Sequence, residues 1–322
     1  MKNNIARKFP VLGYSLLPTR IHKLENISKL MNANIFCKRD DLTGFAFGGN
    51  KTRKLDYLIA DAINNKYDTI IATGANQSNF CRIASAYGAA TGLRTYLVLG
   101  GGKPDVPTGN LMLDYLFGAE IIHVESEDWN AWENEAGKLE SYLAEKGRKV
   151  YRMPIGGSTP TGALGYVEAV REIIEYSSDT GINFSNIFFP TGSAGTQSGL
   201  IAGKAIYGLN SEINGIAITK NAEQITDEVS ALTDGIFRIL EIDRPECVIR
   251  VDDNYIGAKY GAFTESADEA VSLFAKKEGI LLDYVYSGKA AAGMLDFIRK
   301  KKISKSGNIL FIHTGGNIQL FK

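Results

Sequence analysis

The chain has 322 residues, 44% apolar and 22% charged, ordinary proportions for a globular protein and too much length for one simple core. Its 36 basic and 36 acidic side chains cancel, which removes the electrostatic case for a nucleic-acid or anionic-membrane partner. Cys37, Cys81 and Cys247 are few and far apart, and His22, His123 and His313 are scattered. Neither a disulfide framework nor a metal site is expected from them, and a reducing cytoplasm is.

The first residues, MKNNIARKFPVLGYS, lack the apolar stretch and cleavage pattern of a leader, and no run of apolar residues is long enough for a membrane span. Ile35–Arg39 reads as a strand. Gly44, Gly48 and Gly49 then precede Lys51, and Leu55, Leu58, Ile59 and Ala62 recur at helical spacing, so a helix is expected over Lys51–Asn65 with the lysine at its start. Strands over Thr69–Thr73, Thr95–Leu99, Glu120–Val124 and Lys149–Pro154 alternate with helices over Asn76–Thr91 and Trp129–Lys146.

A Gly/Ser/Thr/Pro-rich stretch, Pro154–Gly165, marks a boundary. Beyond it, strands over Asn186–Pro190, Gly215–Thr219 and Ile309–His313 alternate with helices over Ala163–Tyr176, Gly195–Tyr207, Ile225–Leu240, Ala267–Lys277 and Lys289–Lys301. The basic run Arg299 to Lys305 reads as the solvated end of the last helix, where cations suit the dipole. This alternation implies right-handed βαβ units, hence an α/β protein of two lobes, each a mostly parallel sheet flanked by helices. Residues 54–161 form the expected small α/β domain, and 1–53 plus 162–322 the large one.

Glycines gather where strands turn into helices, the place where open α/β sheets bind ligands. An ammonium at Lys51 is disfavoured by the helix dipole, and a neutral lysine amine is what attacks a carbonyl. A lysine past a loop is usually a solvated surface group, so the neighbouring motifs decide. TGSAGTQSG, Thr191 to Gly199, follows the strand NIFFP and reads as an anion cradle at a helix start, with tight helix-on-sheet packing as its plain alternative. GANQSNFCR, Gly74 to Arg82, brings Ser78 and Asn79 to another such turn, either as ligands or as helix caps. Thr314 follows an apolar strand, Tyr286 and Ser287 precede the last helix, and Tyr260 lies in the loop NYIGAKYG; tyrosines are commonly packing residues, but polar loop residues this dense at one sheet edge favour function. A lysine, a phosphate loop, a hydroxyl-rich mouth and no metal ligands together describe a site for pyridoxal phosphate.

KRDDLTGFAFGGNKTRKLDYL (Lys38–Leu58), GANQSN, GSAGTQSG (Gly192–Gly199), EGILLDYVYSGKA (Glu278–Ala290) and LFIHTGG (Leu310–Gly316) closely resemble the 1-aminocyclopropane-1-carboxylate deaminase / D-cysteine desulfhydrase family. The resemblance runs from about Phe9 to Gly316. It implies the tryptophan-synthase-β-like fold (fold type II) and pyridoxal 5′-phosphate as cofactor, with Lys51 bonded to the cofactor aldehyde and moving a proton at Cα. It further implies Ser78 at the substrate carboxylate or in proton transfer, and Asn79 at the ring hydroxyl. Ser193, Ala194, Gly195 and Thr196 would hold the phosphate, with Asn50 and Lys54 as helpers. Tyr260 would pack near the ring, and Tyr286 would act as an acid or base. A homodimer and a small amino-acid substrate follow from the same resemblance.

Deaminases of the family carry Glu directly after that second tyrosine and lack the HTGG threonine, whereas this chain has Ser287 and Thr314. A carboxylate keeps the ring nitrogen protonated and the ring a strong electron sink, which opening a cyclopropane needs. A hydroxyl gives a weaker sink, adequate for losing a good leaving group from Cβ after α-deprotonation. The expected reaction is therefore β-elimination, with D-cysteine giving pyruvate, ammonia and hydrogen sulfide. Phe80, Cys81, Tyr284 and Ala262 depart from the family pattern near the site, so a lyase for another β-substituted amino acid stays open. So do the deaminase itself, a catalytically silent cofactor-binding relative and a nucleotide-binding module.

Overall fold

A computed structural model describes residues 8–322; the start of the stretch read above for a leader lies outside them. The chain opens with β1 (Ile21–Lys23), α1 (Glu25–Met31), β2 (Asn34–Lys38) and α2 (Asn50–Asn64). It continues through β3 (Thr69–Ala75), α3 (Asn79–Thr91), β4 (Arg94–Gly100), α4 (Gly109–Leu116), β5 (Glu120–Val124), α5 (Trp129–Glu145) and β6 (Val150–Met153). Then come α6 (Pro160–Thr180), β7 (Phe184–Thr191), α7 (Gly195–Tyr207), β8 (Glu212–Ala217), α8 (Ala222–Leu240), β9 (Arg250–Asp252), α9 (Glu265–Glu278), α10 (Ser287–Arg299) and β10 (Asn308–Ile312).

Two sheets result. A six-stranded sheet has the order β1-β2-β10-β7-β8-β9, and a four-stranded sheet the order β5-β4-β3-β6. Among these ten strands every pairing is parallel except β1 with β2. Strand β10 shows why its sequence is apolar throughout: Ile309 and Phe311 enter a core with Phe188 and Phe274 on one face, while Leu310 and Ile312 enter another with Ile187, Val170 and Leu200. The four-stranded sheet buries Ile70, Ala72, Leu97 and Leu99 against Leu55, Leu58 and Ile83 of the helices. No helix among the described residues is long and apolar enough to cross a membrane.

The expected strands are all present, with ends shifted by a few residues. Helix α3 starts at Asn79 rather than Asn76, because Ser78 is its N-cap and accepts from Cys81 N. Helix α6 starts at Pro160 rather than Ala163, since Thr159 caps it by accepting from Gly162 N, and a proline in the first turn forfeits no hydrogen bond. The three-residue strands β1 and β9, and the short helices α1 and α4, carry too little periodicity to be read in advance.

Arg53 of α2 fixes that helix to both its neighbours. It is 1% exposed and donates to Asp40 (Nε and Nη2, each 2.9 Å) and to Glu172 of α6 (2.7 and 2.8 Å). Lys38 donates to Glu172, and Tyr166 and Thr19 donate to Asp40 at 2.7 and 2.6 Å, so two cations face two carboxylates with the remaining lone pairs satisfied. Burial alone would raise the Asp40 carboxyl; the Arg53 and Lys38 cations overcome it and hold the group down at about 2. Glu172→Ala leaves the two cations facing one carboxylate and is expected to cost about 3–5 kcal/mol, read as a lower urea midpoint at pH 7. Asp40, held below the roughly 3.9 of an unfolded aspartate, contributes fully above that value. Its contribution should be lost as the pH falls through about 2.

Candidate active site

The turn before α2 delivers Lys51. Gly48 has φ +64° and a Cβ there would lie 2.5 Å from Asp41 O, so only glycine fits. Gly49 N donates to Asp40 O and to Thr43 Oγ1 at 2.8 Å, and Asn50 N donates to Thr314 O at 2.9 Å. Lys51 and Lys54 then leave the first turn of α2 together. The half-buried Lys51 donates Nζ to Gly156 O at 3.4 Å, and the fully buried Lys54 donates to the same oxygen at 3.1 Å. Among the described residues no carboxylate forms an ion pair with either amine. Burial lowers the Lys51 amine to about 8, with the hydrogen bond to Lys54 working the other way. Lys54 is pushed well below its ordinary value by burial and then by the charge of Lys51.

The start of α7 faces these amines. A Cβ on Gly195 would lie 2.6 Å from Lys54 Nζ and 2.9 Å from Ser158 Oγ, so the loop brings bare backbone against the lysine. Ser158 Oγ donates to Ser193 Oγ at 2.9 Å, and Asn50 Nδ2 donates to Thr196 Oγ1 at 3.1 Å. The first N–H groups of a helix lack intrahelical acceptors and carry positive potential. Amines, hydroxyls and helix amides therefore converge on one spot, and a phosphate group fits it in charge and donor set.

These groups line a cleft at the carboxyl ends of β3, β7 and β10. Asn50, Lys51, Ser78, Asn79, Ser193, Ala194, Gly195, Thr196, Tyr260, Tyr286 and Thr314 all line it. Lys54 lies just behind, beside Gly195. Ser78 serves as the α3 cap and keeps its own hydroxyl proton to donate. The Tyr260 and Tyr286 hydroxyls are hydrogen-bonded to each other. Burial raises both phenols, Tyr260 to about 12, so both are protonated at neutral pH.

Ser287 is a correction. It is fully buried and does not line the cleft: its hydroxyl donates to Asp283 Oδ1 at 2.6 Å and accepts from Asp283 N at 2.9 Å. The Asp283 carboxylate also accepts from the amides of Val285, Tyr286 and Ser287, so the serine is committed to the start of α10. Thr314 is the hydroxyl of that pair that lines the cleft. The Gly156 carbonyl, Ser158 and the indoles of Trp129 and Trp132 complete the site without having been singled out in the sequence. In the sequence Gly156 is one more glycine between a strand and a helix, and Trp129, edge-on to Tyr260 with centroids 6.0 Å apart, is one more apolar residue of an amphipathic helix.

A family model described as "Pyridoxal-phosphate dependent enzyme" matches residues 14–315. A Pyrococcus furiosus protein described as "Putative 1-aminocyclopropane-1-carboxylate deaminase" is 40% identical over 313 residues, 97% of this chain and 94% of the relative. A solved structure of an ACC deaminase homologue, where ACC is 1-aminocyclopropane-1-carboxylate, superposes with a TM-score of 0.93 at 35% identity, covering 100% of this chain and 97% of that one. A hydrogen sulfide-producing enzyme from Fusobacterium nucleatum shares the fold, with a TM-score of 0.66 at 18% identity over 99% of each chain. Gly195→Ala should raise the Kd for pyridoxal 5′-phosphate by about tenfold or more. Its urea stability without cofactor should stay within about 1 kcal/mol of wild type.

Proposed function

The chain belongs to the pyridoxal-phosphate dependent enzymes, in the 1-aminocyclopropane-1-carboxylate deaminase / D-cysteine desulfhydrase family, and from that premise we propose that it converts D-cysteine and water to pyruvate, ammonia and hydrogen sulfide. Its cofactor is pyridoxal 5′-phosphate and its reaction class is that of a lyase or deaminase acting on small amino acids. When bound, the cofactor holds the substrate amine through its aldehyde carbon and draws electrons from the substrate Cα.

In this reading Lys54, the Ser193 and Thr196 hydroxyls and the α7 amides hold the phosphate, with Asn50 steadying Thr196. Asn79 donates its amide to the ring hydroxyl, and Ser78 donates to the substrate carboxylate. Lys51, its amine lowered to about 8 by burial, takes the Cα proton as general base. The protonated Tyr260–Tyr286 pair hands a proton to the departing sulfur. Thr314, rather than Ser287, offers its hydroxyl to the ring nitrogen.

One observation favours elimination over ring opening: among the described residues no carboxylate lines the cleft, and Asp283, near the second tyrosine, is occupied by the start of α10. A ring nitrogen met by a hydroxyl is a weaker electron sink, adequate where a Cα proton can be removed first. The name of the Pyrococcus furiosus relative favours the deaminase as the second reading. The homodimer rests on the family likeness, and the cytoplasmic location on the few, scattered cysteines. The domain division at 54–161 is supported by β3 to β6, all of which fall inside it.

Purified holoenzyme given D-cysteine should release pyruvate and sulfide in equal amounts, and Lys51→Ala should lose about 10³-fold or more in rate. Formation of 2-oxobutanoate from 1-aminocyclopropane-1-carboxylate, with no sulfide from D-cysteine, would overturn the proposal in favour of the deaminase.

A further inference from the structure

Arg82 stands three residues after Asn79 on α3 and is 1% exposed. Among the described residues its guanidinium forms no ion pair. Nη1 donates to Asn79 Oδ1 at 3.0 Å and to Asn110 Oδ1 at 2.8 Å, and Nη2 donates to Gly48 O at 2.8 Å. Asn110, fully buried at the start of α4, donates Nδ2 to the same Asn79 oxygen at 2.9 Å. With two N–H donors on that oxygen, reversing the Asn79 carboxamide would set its NH₂ against both. The hydrogen bonds therefore fix Oδ1 inward and leave the NH₂ for the cleft that Asn79 lines.

A buried cation whose hydrogen bonds all go to neutral oxygens is poor value for stability. Among the described residues its Nε has no hydrogen-bond partner, and the acid that acts on it, Asp114, is itself pushed up to about 8 by burial and so is mostly protonated at neutral pH. What the guanidinium does supply is geometry. One planar fork reaches oxygens on three elements: the turn before Lys51, the start of α3 and the start of α4.

We propose that Arg82 is a positioning residue for the cofactor: it holds Asn79 with its amide hydrogens toward the cofactor ring and, through Gly48 O, ties that amide to the turn that delivers Lys51. This inference rests on the reading of Asn79 as a cofactor ligand.

The test follows cofactor release from purified holoenzyme, by decay of its visible absorption on dilution, for wild type, Arg82→Met, Asn79→Ala and the double variant. Each single variant should release cofactor about tenfold faster or more. The double variant should exceed Asn79→Ala by no more than about threefold, because both changes remove one coupled contact. Arg82→Lys should recover part of the retention and part of any shift in the absorption maximum. Effects that multiply in the double variant, or an Arg82→Met holoenzyme with wild-type release and spectrum, would overturn the proposal. If Arg82→Met does not fold, Arg82→Lys and its combination with Asn79→Ala carry the same comparison. A wild-type protein that takes up no pyridoxal phosphate fails earlier and differently: it refutes the cofactor reading itself.

Discussion

Two lysine amines share one carbonyl oxygen, with no carboxylate among the described residues to balance them. Lys51 and Lys54 both donate to Gly156 O, and this unpaired positive charge is the constraint around which the site is arranged. Buried cations ordinarily find an acid, and a few residues away this chain does so: Arg53 and Lys38 face Asp40 and Glu172. The contrast lies within one turn of α2. Arg53 points into a neutralised network that locks the helix to α6. Lys51 and Lys54, on a different side of the same turn, have no such acid among the described residues, and the proposed phosphate site uses them.

That arrangement explains the small residues around the cleft. Bare backbone at Gly195 lets the start of α7 approach Lys54, and the turn through Gly48 and Gly49 starts α2 where its lysines meet the carboxyl ends of the strands. Burial keeps the Lys51 amine within reach of its neutral form, which both bonding to a carbonyl and moving a proton require. The site therefore gives up local stability for reactivity, while the Arg53 network and the doubly covered β7 and β10 hold the frame.

Much of this was legible in the residues. Helix α7 begins and ends where its glycines and spacing put it, and α2 begins one residue before Lys51. Strand–helix alternation gave the two parallel sheets, because strands covered on both faces are apolar along most of their length. Other features depend on contacts that spacing does not encode. Ser287 and Thr314 each read as a hydroxyl near the ring, and what separates them is Asp283, which claims the serine for the start of α10. Nothing in the motif after Asn79 marks Arg82, since an arginine in a helix is usually solvated; its burial is set by Asn110 and Gly48, which come from distant parts of the chain. The Gly156 carbonyl is a backbone atom and leaves no mark in a side-chain pattern.

In the proposed site two neighbouring lysines divide the labour: Lys51 bonds the cofactor and Lys54 holds its phosphate. Borohydride reduction of the purified holoenzyme followed by peptide mass spectrometry addresses that division directly. One pyridoxyl phosphate per chain is expected, carried on Lys51 with Lys54 unmodified. A label on Lys54, on both lysines, or on neither would contradict it.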